Sequence, residues 1–141
     1  MDTNSLDIFE ANWNQFSQGI CEVRKKVFIQ EQNVPSSIEM DGNDLECYQF
    51  LAKYKNQPIG TARLRKYGKI ERVSVIKQYR GLGIGLKIME IVLTKANSLG
   101  INEIYLHSQM ESKDFYESIG FITTGESFLE ADIEHIKMVY N

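Results

Sequence analysis

Three glycines fall within five residues of the stretch "KQYRGLGIGLK" (77–87), at the point where the apolar pattern changes its period. Upstream, "KIERVSVI" reads as a strand. Downstream, Ile84, Ile88, Val92 and Ala96 recur every fourth residue and Gly100 stands at a C-cap position, which predicts a helix over about 83–99. Glycine in or beside a helix costs about 1 kcal/mol relative to alanine. A chain that accepts this at Gly81, Gly83 and Gly85 needs a backbone that something can approach closely. A helix N-terminus offers unpaired N–H groups and roughly +0.5 of a charge, which suits phosphate oxygens. Arg80 adds a charged donor. Two other phosphate loops do not fit, because position 86 is Leu where G-x-G-x-x-G needs glycine, and G-x-x-x-x-G-K-[ST] is absent. The stretch reads as a cradle for a pyrophosphate.

The rest of the chain bounds this reading. Its 141 residues suit one domain, 1–141, with an ordinary apolar and charged content. A net charge of −3 argues against broad nucleic-acid binding. No run approaches the roughly 18 apolar residues of a membrane span, and "MDTNSLDIFEANW" lacks a signal peptide's basic and apolar regions, so a cytoplasmic protein is expected. Cys21 and Cys47 have neither metal-like nor redox spacing, and no metal site is expected.

"SLDIFEAN" reads as a first strand. Phe16, Ile20, Val23, Val27 and Phe28 then mark a helix from Asn14 to about Gln32, stopped by Pro35 and followed by a polar, acidic loop. "CYQFLAKY", "PIGTARLRK" and "KIERVSVI" are strands joined by "KNQ" and "YG", hence an antiparallel meander. After the glycine helix come strand "INEIYLHS", short helix "SKDFYESIG", and strands "FITTGESFL" and "HIKMVYN". The order predicts an α/β (α+β) protein, a mixed sheet with helices packed on it.

Gln78-x-x-Gly81-x-Gly83 resembles the acyl-CoA motif [QR]-x-x-G-x-[GA] of the GNAT superfamily of N-acyltransferases, and "FYESIGF" (115–121) resembles its [FL]-Y-x-x-x-G-F signature. One helix and one strand separate the two, as in that family. The resemblance implies a mostly antiparallel sheet whose central strands splay to form a CoA slot, with acetyl-CoA as co-substrate. It implies that Gln78, Arg80, Gly81, Leu82, Gly83, Ile84 and Gly85 hold the pyrophosphate. Val73, Ser74 and Val75 would meet the pantetheine arm through main-chain groups, with Gln109, where asparagine is usual, beside the same arm. Tyr116 would protonate the leaving thiolate.

Acylation of an amine by a thioester also needs a base, since a free alkylamine is protonated at neutral pH. Glu71 is the candidate, because strict alternation places it on one face with Val73 and Val75, opposite Arg72 and Ser74. The segment "VRKKVFIQEQNVPSSIEMDGNDLE" is similar to a stretch found in a bacterial, ElaA-like and YjcF-like branch of the same family, carried by Arg24, Val27, Phe28, Glu31, Gln32, Val34, Glu39, Asp41 and Asp44. Its acids suggest either a solvated loop or a gate that draws a cationic amine toward Phe28, Glu31, Gln32, Glu39 and Asp41. His107 is a second candidate base, and His135 a candidate lining of the acceptor pocket. The expected activity is acetyl transfer to a primary amine of a small molecule or peptide, by a possible homodimer. Acyl-homoserine-lactone synthases share part of the Arg24–Asp44 pattern but generally lack a full glycine loop. A non-catalytic acyl-CoA-binding module is the other alternative.

Overall fold

The first alternating run forms β1 (Leu6–Ala11), and Asn12 caps the helix that follows by accepting from the Gln15 amide, 3.2 Å. The computed structural model describes all residues, 1–141. Helix α1 (Trp13–Arg24) continues into a π-helical segment, Lys25–Glu31, and a single-turn α2 (Ser36–Glu39) follows Pro35. Next come β2 (Tyr48–Tyr54), β3 (Gln57–Leu64), β4 (Lys69–Val75) and α3 (Ile84–Ser98). The chain ends with β5 (Tyr105–Gln109), α4 (Lys113–Ile119), β6 (Phe121–Glu130) and β7 (Ile133–Tyr140). The strands form one sheet in the order β1-β2-β3-β4-β5-β7-β6, antiparallel at every junction except β4–β5. The expected mixed, mostly antiparallel architecture is what the chain adopts.

Two glycines show which helix lies on which face. A Cβ on Gly60 would stand 2.9 Å from Ile88 Cδ1 of α3, and one on Gly19 of α1 would stand 3.0 Å from Pro58 Cγ and 3.9 Å from Leu51 Cδ2. Helix α3 therefore packs on the Phe50, Gly60 and Ala62 face, and α1 on the Leu51, Thr61 and Arg63 face. The period-four residues Ile84, Ile88, Val92 and Ala96 are all buried against the first of these.

Two irregularities in β4 create the site. Its parallel pairing with β5 comprises only Lys69↔Tyr105 and Ile70↔Leu106, after which the strands part. At the apex, the Gly68 carbonyl accepts from the Tyr105 amide at 3.1 Å, and a Cβ on Gly68 would fall 2.0 Å from the Glu103 carbonyl oxygen. Further along, Glu71 pairs with Arg63 and Ser74 with Thr61, so Arg72 and Val73 together oppose Ala62 in a β-bulge, with Arg72 left-handed at φ 58°. This corrects the reading from strict alternation: Glu71 shares its face with Ser74, toward α1, and not with Val75.

Candidate active site

The parting of β4 from β5 opens a cleft of about 1170 Å³ that runs from the glycine loop, past β4 and β5, to the turn between β6 and β7. Lys69 to Val75 line one wall, Leu106 to Gln109 the other, and Phe28, Glu31 and Gln32 reach in from the π-helical segment. The segment's i→i+5 winding, seen in the Gln32 amide donating to Val27 O at 3.1 Å, was not legible in the apolar spacing.

At the loop end, Gly81 and Gly83 are left-handed (φ 77° and 82°), and no protein atom lies within 4 Å of where either Cβ would project. Gly83 is the N-cap of α3 and no side chain caps that end. The first amides of α3 consequently lack intrahelical partners, and the loop can turn them toward an anion. Gly85 serves a different purpose. Its Cβ would lie 3.3 Å from Phe115 Cζ, so the missing side chain lets α4 pack against the first turn of α3. Gln78 and Leu82 are exposed and do not line the cleft, while the Arg80 amide is spent on Lys77 O at 3.3 Å. The Arg80 side chain donates to Val75 O and, bidentately at 2.6 and 2.7 Å, to Glu31, whose carboxyl these bonds hold below its ordinary range. Taken together, this end fits the diphosphate of a CoA through backbone groups.

Tyr116 is 7% exposed, lines the cleft, and makes no hydrogen bond within the protein. Burial pushes its phenol well above the ordinary value, so it stays protonated at any working pH. Gln109 donates to Gln32 at 2.9 Å and so ties β5 to the π-helical segment.

Glu71 is not the free carboxylate a base requires. It lies 3.0 Å from Arg63, 2.6 Å from Arg65 and 3.2 Å from Lys69. Burial would raise its carboxyl, but the Arg63 charge and the Arg65 hydrogen bond outweigh that and lower it. The acidic gate fails for the same reason. Arg24 bonds Glu39 and Asp44, Arg63 bonds Asp41 and Asp44, and Arg72 bonds Glu39. Asp41 and Asp44 would be raised by burial, yet hydrogen bonds from Arg63 and Arg24 respectively carry both below the ordinary carboxylate range. Five cations (Arg24, Arg63, Arg65, Lys69, Arg72) face four carboxylates (Glu39, Asp41, Asp44, Glu71), an excess of one positive charge and not an anionic funnel.

At the far end, His107 Nδ1 lies 3.3 Å from Glu130 Oε1, and His135, buried on β7, places Nδ1 2.6 Å from Ile133 O. Glu130 carries no motif and was missed. The turn that holds it, Ala131–Asp132 with φ 52° and 60°, lacks the glycine or asparagine that usually announces such a hairpin. Cys21 and Cys47 are free thiols raised by burial. No group of three or more His, Cys, Asp or Glu side chains is arranged to hold a metal.

A splayed β4–β5 slot ending at a glycine-capped helix is the architecture of an acyl-CoA-using transferase. Residues 14–141 match the acetyltransferase (GNAT) domain family, and the chain belongs to it, which makes it an acyltransferase. The uncharacterized N-acetyltransferase YjcF of Bacillus subtilis is 34% identical over 121 residues, 83% of this chain and 86% of that one. An acyl-CoA N-acyltransferase from Pseudomonas aeruginosa superposes with a TM-score of 0.85 at 29% identity, covering 97% of this chain and 100% of its own. Escherichia coli ElaA does so at 0.86 and 26%, covering 96% and 99%.

Proposed function

We propose that this protein moves the acetyl group of acetyl-CoA to a primary amine of a small molecule, by direct attack while both substrates are bound. The observation that carries the reading is the continuity of the cleft from the open glycine loop to the gap between β4 and β5. Gly81, Gly83 and the free amides of Ile84 and Gly85 take the pyrophosphate. The main chain of Val73 to Val75, unpaired on its β5 side, takes the pantetheine arm, with Ser74 turned to the α1 face. Tyr116 supplies the proton for the departing thiolate, since its buried phenol still carries that proton when the C–S bond breaks. The acceptor approaches from the α1 side, past Phe28, Gln32 and Asp41. The reaction takes place in the cytoplasm of a bacterium.

Calorimetric titration with acetyl-CoA, followed by a thiol-release assay over a panel of amines, tests this. Wild type is expected to bind and to release CoA. Gly83→Asp, which puts a side chain and a negative charge at a left-handed cradle position, is expected to weaken binding at least tenfold. Absence of wild-type binding overturns the proposal, and binding without turnover of any amine favours an acyl-CoA-binding module.

A further inference from the structure

The cleft holds a histidine–carboxylate pair that the reading above leaves without a task. We infer that His107, oriented by Glu130, is the base that takes the proton from the acceptor ammonium. This rests on the proposed N-acetyl transfer.

His107 is the first residue of β5 beyond the last β4 pair, Ile70↔Leu106, so it stands where the strands part. Both His107 and Glu130 line the cleft. A carboxylate only accepts, so the 3.3 Å contact places the proton of the neutral ring on Nδ1 and leaves the lone pair on Nε2. The ring is fixed from two sides, edge-on against Phe128 at 4.9 Å and against Tyr105 at 6.1 Å. Glu130 is itself placed by a two-residue turn whose Ala131 is left-handed, a conformation unfavourable for a non-glycine residue. Such strain is found where surrounding structure or function demands it.

The rivals are committed elsewhere. His135 gives Nδ1 to Ile133 O and turns Nε2 toward Glu130 Oε2 at 3.8 Å. Glu71 is held by three cations. The groups facing His107 are Glu130 on β6, Lys137 directly opposite and His135 on β7, Tyr105 on its own strand, and Lys69 and Glu71 across the gap on β4. Lys137 is drawn to Glu103 at 3.5 Å and lies over the Tyr105 ring at 4.8 Å, which leaves Glu130 as the charge in direct contact.

The proton ledger closes. The ammonium passes one proton to His107 Nε2, and the freed amine attacks the thioester carbonyl to form the C–N bond. On collapse the C–S bond breaks, the thiolate takes a proton from Tyr116, and the second nitrogen proton restores Tyr116 through solvent. His107 then releases its proton to water. The products are an amide, a thiol and one proton.

The test compares propylamine, protonated at neutral pH, with methoxyamine, which is neutral there and needs no base before attack. His107→Gln is expected to lower kcat/KM for propylamine about 100-fold at pH 7, with the loss shrinking as pH rises, to change methoxyamine turnover less than about threefold, and to leave acetyl-CoA binding intact. Glu130→Gln is expected to show the same amine selectivity in weaker form. An equal loss with both amines, or no loss with propylamine, overturns the assignment and leaves the N-acetyltransferase reading standing. Wild type that binds no acetyl-CoA overturns both. Independently of any acceptor, nitrogen NMR must find His107 as the Nδ1–H tautomer, and the opposite tautomer overturns the proposal.

Discussion

At the scale of single residues, the chemistry depends on which polar groups the fold leaves without partners. Tyr116 is buried and its hydroxyl is unbonded within the protein, so its removal takes away the proton donor of the proposed reaction and no structural bond. Tyr116→Phe is expected to lower kcat by about 100-fold or more while leaving KM for acetyl-CoA and thermal stability within experimental error. Steady-state kinetics beside a melting curve check this, and a large stability loss would mean that the hydroxyl has a structural partner. Tyr116 was legible because "FYESIGF" is a local motif. Glu71 was misread because the bulge at Arg72 breaks strict alternation, and because residue types along one strand do not show that Arg63 and Arg65 reach it across the β3–β4 turn. The pairs of Arg24 with Glu39 and Arg63 with Asp41 likewise join residues 15 and 22 positions apart.

Among the elements, apolar runs and the turn residues between them located β1 to β7 and α3 to within a few residues. They could not locate the places where spacing breaks. The bulge at Arg72 depends on a left-handed arginine, and the π-helical segment on a shift from i→i+4 to i→i+5 bonding, and neither changes the residue types present. Gly68 was read only as turn material in "YG", yet it is the pivot from which β4 and β5 diverge. An alanine there, at φ 115° and with its Cβ 2.0 Å from a backbone oxygen, forces the two strand ends apart. Gly68→Ala is expected to destabilise by about 3–4 kcal/mol, against about 1–2 kcal/mol for Gly100→Ala, where only the left-handed backbone (φ 69°) objects and no atom is near. Urea unfolding of the two variants decides it, and equal losses would show that the apex contact is not tight.

For the whole molecule, the arginine–carboxylate wall makes stability depend on acid. Asp41, Asp44, Glu71 and Glu31 all have carboxyls held below their ordinary values in the folded state. Their contribution is therefore complete above the unfolded carboxylate range, near pH 4, and is lost as pH falls through the lower folded values. Stability should be flat between about pH 7 and 5 and fall steeply below about 4 on this account. Asp41→Asn should be less stable at neutral pH and show a shallower acid slope, measured by denaturant unfolding at a series of pH values. An unchanged slope would mean that Asp41 is not coupled to Arg63 in solution.

The half-paired junction between β4 and β5 bears on heat resistance. Five of the six junctions in the sheet pair along most of their length, and this one stops after two residue pairs. In the proposed reading, an extended ligand with amides of its own lies along that junction, so occupancy finishes the sheet as a further strand would. A ligand that binds only the folded chain, present at 100 times its Kd, adds about 2.7 kcal/mol, on the order of 5–10 °C in Tm for a chain of this size. Acetyl-CoA should give that rise, and at the same concentration a nucleotide diphosphate that fills the glycine loop without an arm, and so binds more weakly, should give much less. The co-substrate is then also the seam that holds the two halves of the sheet together when the cell warms.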